Sequence, residues 1–271
     1  MRFLLLLIGL VLTLPVQADW VPKHRPVPGG VAVIDLGSAS EKRPRQITYN
    51  DRPVMLRVSN DRWKALVGLA LDADVGGHHI MADGRRLAFQ VQHQGYDEQH
   101  ITLRNERHVN PNQEDLDRIG RELQRIRAAL ATWSHSEPDS LRMPLPVEGR
   151  FSSPFGLQRF FNDQPRRPHN GLDIANDTGT PIQSPATATV VDAGDFFFNG
   201  KTVFLDHGQG LITMYCHMDR IDVAPGDTVI LGQSLGTVGA TGRVTGPHLH
   251  WSVFLNGNAI DPALFLAEGD A

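Results

Sequence analysis

At 271 residues, with 26 basic against 30 acidic side chains and a net charge of −4, the chain is long enough for two domains. Its dispersed basic residues exclude the cationic face that a nucleic-acid partner needs. Cys216 is the single cysteine, so no intramolecular disulfide can form and packing must hold the fold together.

The chain opens as an export signal. Met1-Arg2 is a short positive start, residues 3–14 are apolar apart from Gly9 and Thr13, and Val16-Gln17-Ala18 is a small-x-small cleavage site. Cleavage after Ala18 is expected. A membrane anchor is the alternative, but the run falls short of the ~20 apolar residues that span a bilayer. No cysteine follows the run to accept a lipid, so an exported protein without an integral span is predicted.

Residues 19–108 read as a β-sandwich accessory domain. Short β-type runs at 31–34, 54–58, 65–71, 87–91 and 101–103 are separated by turn signals such as Pro28-Gly29-Gly30, Asn50-Asp51, Gly76-Gly77 and Asp83-Gly84. No constellation in them suggests chemistry. His78 and His79 are adjacent, so their side chains diverge on a strand and need no functional reading.

Residues 109–141 read as a helix and a linker. Asn110 is the expected N-cap, with Pro111 at the first helical position and Gln113 completing a capping-box pattern. Leu116, Ile119, Leu123, Ile126, Leu130 and Trp133 recur at steps of three and four, which makes one apolar stripe. Core packing is its expected role, and a dimerising coiled coil is the alternative. The Ser-, Pro- and charge-rich stretch 134–146 reads as a connection to the next domain.

Residues 142–271 form the third unit, again β with Gly and Pro at its corners. Strands are expected at 187–191, 201–205, 211–217, 228–230 and 248–254, with Asn199-Gly200 as a hairpin turn. Alternation puts His248, His250 and Ser252 on one face of the last strand and Leu249, Trp251 and Val253 on the other. In strand 211–217 the same rule groups Thr213, Tyr215 and His217, leaving Ile212, Met214 and Cys216 to the core. Cys216 is therefore read as a small buried hydrophobe rather than a ligand or reactive thiol.

Two motifs in this third unit carry ligand chemistry: His169-Asn170-Gly171-Leu172-Asp173 and His248-Leu249-His250. Imidazole and carboxylate suit Zn²⁺, and a catalytic zinc takes three protein ligands and leaves a fourth position open. Strand parity alone does not choose between His248 and His250. No His-Glu-x-x-His helix is present, so a histidine rather than a glutamate must serve as base.

The ordered motifs extend further: Ser153-Pro154-Phe155-Gly156, His169 to Ala175, Gly179-Thr180-Pro181, Pro185-Ala186, Tyr215-Cys216-His217, Pro225-Gly226-Asp227, Gly232-Gln233 and Thr245-Gly246-Pro247-His248-Leu249-His250. With these, residues 150–265 resemble a lysostaphin-type (LytM-like) zinc metallopeptidase domain, a family of peptidoglycan-cleaving endopeptidases on a compact antiparallel β fold. The N-terminal region more weakly resembles the immunoglobulin-like domain that precedes such peptidases, Pro28 to Val33 being its best match. The resemblance implies one zinc per chain held by His169, Asp173 and His250, with His217 and His248 as unliganded catalytic histidines. It further implies peptidoglycan peptides as substrate and an exported, periplasmic setting. Cys216, Val244 and Trp251-Ser252 depart from the common pattern and bear on substrate fit, not on the ligands.

Two other classes remain open. A non-catalytic cell-wall-binding activator of another hydrolase would be expected to lack ligands, yet all five positions are intact. A biotinyl- or lipoyl-type carrier domain is suggested by the pattern from Gly226 to Gln233, but it needs a lysine at a hairpin tip and none occurs after Lys201. Because an active wall hydrolase endangers its producer, part of the chain's own N-terminal region is expected to sit over the cleft or to fill the fourth zinc position, and a regulatory protein is expected as a separate partner.

Overall fold

A computed structural model describes residues 20–103 and 105–267; the expected export signal, residues 1–18, lies outside the described residues. The fold is mostly β. The N-terminal half contains β1 (Val31–Ser38), β2 (Ile47–Tyr49), β3 (Arg52–Pro53), β4 (Met55–Ser59), β5 (Arg62–Gly68), β6 (Gly76–Ala82) and β7 (Arg85–Val91). These make two sheets, ordered β1-β5-β4 and β3-β2-β6-β7, packed as a sandwich around Ala32, Ala65, Val67, Ile80 and Phe89. Gly76 and Gly77, expected as a turn, instead open β6 and pair with Val91 and Gln90.

The β1-β5-β4 sheet is apolar on both faces. Ala32, Leu56 and Val67 point into the sandwich, whereas Val31, Met55 and Leu66 join the core of the C-terminal half. That double burial explains why 65–71 is a continuous apolar run rather than an alternating one. The two halves are also stitched by polar contacts. Gly68 N donates to Asn256 Oδ1 at 2.6 Å, Asn256 Nδ2 donates back to the Gly68 carbonyl at 3.1 Å, and Leu56 N donates to Gln209 Oε1 at 2.9 Å.

The run expected as a sandwich strand at 101–103 behaves differently. Strand β8 (Glu98–Ile101) leaves the sandwich and pairs in parallel with a strand of the C-terminal half. Its pairs are Glu98 with Gln158 through Ile101 with Phe161, so the segment after β7 extends the second half.

The helix α1 (Gln113–Leu130) has Asn112 as its N-cap, not Asn110. Asn112 Oδ1 accepts from Asp115 N, and Asp115 Oδ2 accepts from Asn112 N, so the reciprocal box belongs to Asn112 and Asp115. The stripe is only partly inside: Ile126 and Leu130 pack against Phe204, Met214 and Phe254, while Leu116 is 48 % exposed. The buried face instead includes Glu122, which accepts from Phe197 N at 2.8 Å. Stretch 134–146 also docks more firmly than a connector. Leu141 and Met143 are core residues, and Met143 N donates to the Phe265 carbonyl at 2.7 Å.

The C-terminal half holds β9 (Arg150–Ser153), β10 (Gln158–Phe161), β11 (Gln164–Pro165), β12 (Leu172–Ala175), β13 (Pro181–Gln183), β14 (Ala188–Phe196), β15 (Gly200–Gly208) and β16 (Leu211–Met218). It continues with β17 (Arg220–Ile221), β18 (Thr228–Val229), β19 (Ser234–Thr237), β20 (His248–Leu255) and β21 (Asn258–Ile260). The main sheet runs β18-β14-β15-β16-β20-β12-β9 with β21 beside β20. One face carries Tyr215, Trp251, Val253 and Leu255 into the large core; the other carries Ile212, Met214, Cys216 and Phe254 toward α1. The functional residues sit at the end of that second face.

Candidate metal centre

Adjacent strands β12 and β20 bring the first two ligand-type residues together. Their antiparallel register places Asp173 directly opposite His250, and residues so paired share a face. His169 reaches the same point from the loop before β12, held by His169 N to the Leu157 carbonyl and Gly156 N to the His169 carbonyl. Gly171 between them is required. A Cβ there would stand 2.5 Å from the Trp251 carbonyl, 2.6 Å from Ser252 Oγ and 2.8 Å from His250 Cε1, so only glycine lets the loop lie against β20.

The three residues are buried, with 1 %, 6 % and 6 % of His169, Asp173 and His250 exposed. His169 Nε2 lies 2.9 Å from Asp173 Oδ1 and 3.0 Å from His250 Nδ1, and that Nδ1 is 2.8 Å from Asp173 Oδ1. The Pro154 carbonyl, 2.6 Å from His169 Nδ1, can only accept, so Nδ1 donates to it and Nε2 is the atom turned toward Asp173 and His250. Ser252 Oγ at 2.9 Å engages His250 Nε2. Burial alone would raise the Asp173 pKa, but the hydrogen bonds and charges of His169 and His250 hold its carboxyl well below the usual range. Three ligand-type atoms, His169 Nε2, Asp173 Oδ1 and His250 Nδ1, thus converge at hydrogen-bond distances from one another, which is the arrangement a cation completes. One carboxylate and two imidazoles, each imidazole oriented through its other nitrogen, fit zinc.

His217 and His248 stand next to this cluster. The rings of His217 and His248 are 4.9 Å apart, those of His217 and His250 are 5.9 Å apart, and His248 Nε2 is 3.8 Å from Asp173 Oδ1. His217 Nδ1 donates to the Thr241 carbonyl and His248 Nδ1 to the Gly246 carbonyl, both at 2.9 Å, so each ring keeps Nε2 free to accept a proton. Burial, with the charges of His248 and His250, pushes the His217 pKa well below its ordinary value and keeps it neutral.

Strand parity groups His217 with Thr213 and Tyr215, and Tyr215 faces the opposite core. His217 nevertheless joins His250, because its backbone at φ 63 is left-handed and turns the side chain at the end of β16. Such a conformation is strained for a non-glycine residue and is held here by His217 N donating to the Asn199 carbonyl at 2.8 Å. Cys216 is buried and burial pushes its thiol pKa up to about 12, so it is inert beside the site.

Sequence reasoning missed two arginines. Arg159 on β10 donates through Nη2 to Asp173 Oδ2 at 2.8 Å and through Nε to Gln99 Oε1 of β8 at 3.1 Å. Arg243 lies in the same recess. The signal for Arg159 is tertiary only, since β10 meets Asp173 through the fold and not through any spacing in the chain. Away from the site, His78 hydrogen-bonds the Tyr49 hydroxyl at 2.7 Å and His100 stacks on Phe160 at 4.6 Å.

Comparison with known proteins places this geometry. Peptidase family M23 matches residues 167–262, and its N-terminal domain family matches residues 24–94. The crystal structure of a presumed M23 peptidase from Pseudomonas aeruginosa is 43 % identical with a TM-score of 0.75, covering 89 % of this chain and 95 % of that one. Peptidoglycan DD-endopeptidase ShyA of Vibrio cholerae is 37 % identical over 121 residues, 44 % of this chain and 28 % of the relative. DD-carboxypeptidase/endopeptidase Mpg of Neisseria meningitidis is 37 % identical over 116 residues, 43 % of this chain and 27 % of the relative. The match thus spans less than a third of either curated relative.

Proposed function

The chain belongs to peptidase family M23, and on that premise we propose that it is a zinc-dependent endopeptidase that hydrolyses peptide cross-links or stem peptides of bacterial peptidoglycan. The observation that carries this reading is the convergence of His169 Nε2, Asp173 Oδ1 and His250 Nδ1 beside two histidines whose Nε2 atoms are free. One zinc per chain would be held by His169, Asp173 and His250. When bound it supplies a Lewis acid that polarises the scissile carbonyl and lowers the pKa of water to about 7.

The chain's own residues do the rest. His217 is kept neutral by burial and takes a proton through Nε2. His248 stands across from it and, once Nε2 carries a proton, donates to the oxygen that gains negative charge. Thr241 and Gly246 carbonyls fix the two tautomers, and Arg159 orients Asp173 through Oδ2. Substrate class rests on the relatives described as peptidoglycan endopeptidases, and the periplasm is the compartment where such cross-links through D-alanine and diaminopimelate are found. A carrier role has no support, and a non-catalytic activator would not need the intact set of five residues.

Access to the cleft is the finer part of this reading. Ile101 and Leu103, from the N-terminal half, line the same recess as Asp173, His217 and His248. That supports a role for the N-terminal region in limiting entry, with a regulatory protein as the factor that releases it.

The decisive experiment is digestion of purified peptidoglycan by the zinc-loaded full chain, with chelator and His217→Ala controls and mass analysis of products. Chelator-sensitive release of uncross-linked peptides, absent with His217→Ala, is expected. Absence of products from zinc-loaded protein on both sacculi and small soluble cross-linked peptides would reject the endopeptidase in favour of the non-catalytic activator.

A further inference from the structure

The recess beside the ligand cluster contains a cation without an acidic partner among the described residues. Arg243 lines it together with Asp173, His217, His248 and His250. Its guanidinium carbon stands 4.1 Å from the centre of the Phe198 ring and 4.6 Å from that of Phe161, so two aromatic faces fix the guanidinium. Nη1 donates to the His108 carbonyl at 3.3 Å. The acid of the recess, Asp173, is already engaged by Arg159, His169 and His250. No carboxylate pairs with Arg243 among the described residues. The charges that act on it are instead those of Arg166 and Arg159, which add to burial in pushing its pKa down to about 10.

Burying a guanidinium among like charges is costly unless an anion joins it. A packing role alone does not account for the charge, because an apolar side chain would fill the space between two phenylalanines without that cost. Nη1 is taken by His108, whereas the Nε–Nη2 edge is the planar fork that matches a carboxylate with two parallel hydrogen bonds.

We propose that Arg243 binds a free carboxylate of the peptide substrate next to the scissile bond, making the enzyme selective for peptides that carry an acid at that place. The proposal rests on the endopeptidase reading in taking this recess as the substrate cleft. The carboxylate is either a chain terminus or a side chain, and the chemistry of recognition is the same for both.

The test uses a cross-linked peptide dimer in its free-acid form and in two forms with one carboxylate amidated, at the terminus or on the side chain next to the bond. With the zinc-loaded full chain, one of the two amidations is expected to lower kcat/KM about tenfold or more, the worth of a charge-assisted hydrogen bond. The form that loses activity identifies the source of the carboxylate. Arg243→Gln should lower the free-acid value to that of the sensitive amide while leaving the amide unchanged, and Arg243→Lys should fall between. Wild-type indifference to both amidations would overturn the proposal without involving any variant. An equal loss by Arg243→Gln on acid and amide would also overturn it, showing that the residue only packs the wall. Calorimetric binding of the free-acid peptide to metal-free protein separates this from the parent reading. If zinc-loaded protein cleaves nothing but Arg243→Gln still weakens binding of the acid alone, the endopeptidase reading fails and the carboxylate site stands.

Discussion

Asp173 and His250 face each other across β12 and β20, with Oδ1 and Nδ1 2.8 Å apart. That pairing is a register property: the carboxylate and the imidazole meet because the strands that bear them are neighbours in the sheet. His169 then needs only the short loop through Gly171 to complete the set.

The division between holding metal and moving protons should appear on substitution. His169→Ala, Asp173→Ala and His250→Ala are expected to lose zinc together with activity. His217→Ala and His248→Ala should retain zinc, measured by elemental analysis after gel filtration, while kcat falls at least about a hundredfold, the scale of general acid–base catalysis. Loss of zinc from His248→Ala would show that the two histidines of β20 have been given each other's roles.

Gly171→Ala tests the close approach behind the cluster. With a Cβ 2.5 Å from the Trp251 carbonyl, the loop must move away from β20. Overpacking of this kind costs roughly 1–3 kcal/mol, and zinc affinity should fall with stability. Unchanged zinc affinity, measured against a chromophoric chelator, would mean that the loop does not depend on this contact.

The metal-free protein should weaken in acid. Burial lowers the pKa of His207 to about 4 in the fold, against an unfolded value of about 6.5. Its native state resists protonation, so the stability is complete above about pH 6.5 and is lost as pH falls toward 4, by up to roughly 3 kcal/mol. Thermal melting across that window should show the fall, and His207→Gln should flatten it. Equal slopes for wild type and His207→Gln would rule out this source.

The sandwich and the metal-bearing half share one core, in which Leu66 of β5 is fully buried with Leu211, Tyr215 and Trp251. Leu66→Ala should therefore cost about 2–5 kcal/mol and lower the urea midpoint for both halves together. The readout is tryptophan fluorescence alongside zinc release. Two separate transitions, with zinc release unmoved, would contradict a common core.

Leu103→Glu probes the cleft wall supplied by the N-terminal half. Leu103 is buried with Val109 and Phe161, and its backbone N–H donates to Asn162 Oδ1 at 2.8 Å. A charge there should loosen the wall and raise kcat/KM on a small soluble peptide with zinc content unchanged. No gain, with circular dichroism intact, would count against a restraining role for this segment.

The family-type motifs and the ligand chemistry were legible in the chain because they are local: His169 to Asp173 and His248 to His250 carry their donors at fixed short spacings. Helix α1 and most strands were legible for the same reason, since apolar periodicity is a short-range signal. The N-cap slipped from Asn110 to Asn112 because both asparagines satisfy the local pattern, and only the reciprocal bond with Asp115 decides between them. Long-range placement was not legible. Alternation sends His217 toward the Tyr215 face, and a left-handed backbone at β16's end turns it back to the metal ligands. Arg159 and Arg243 reach the site from segments whose spacing to Asp173 and His217 encodes nothing, and β8 left the sandwich for the edge of β10. The sequence by itself determined which chemical groups are present and the period on which each strand or helix presents them. Tertiary structure alone decided which of those groups meet, because desolvation, strand pairing and backbone strain act between residues far apart in the chain.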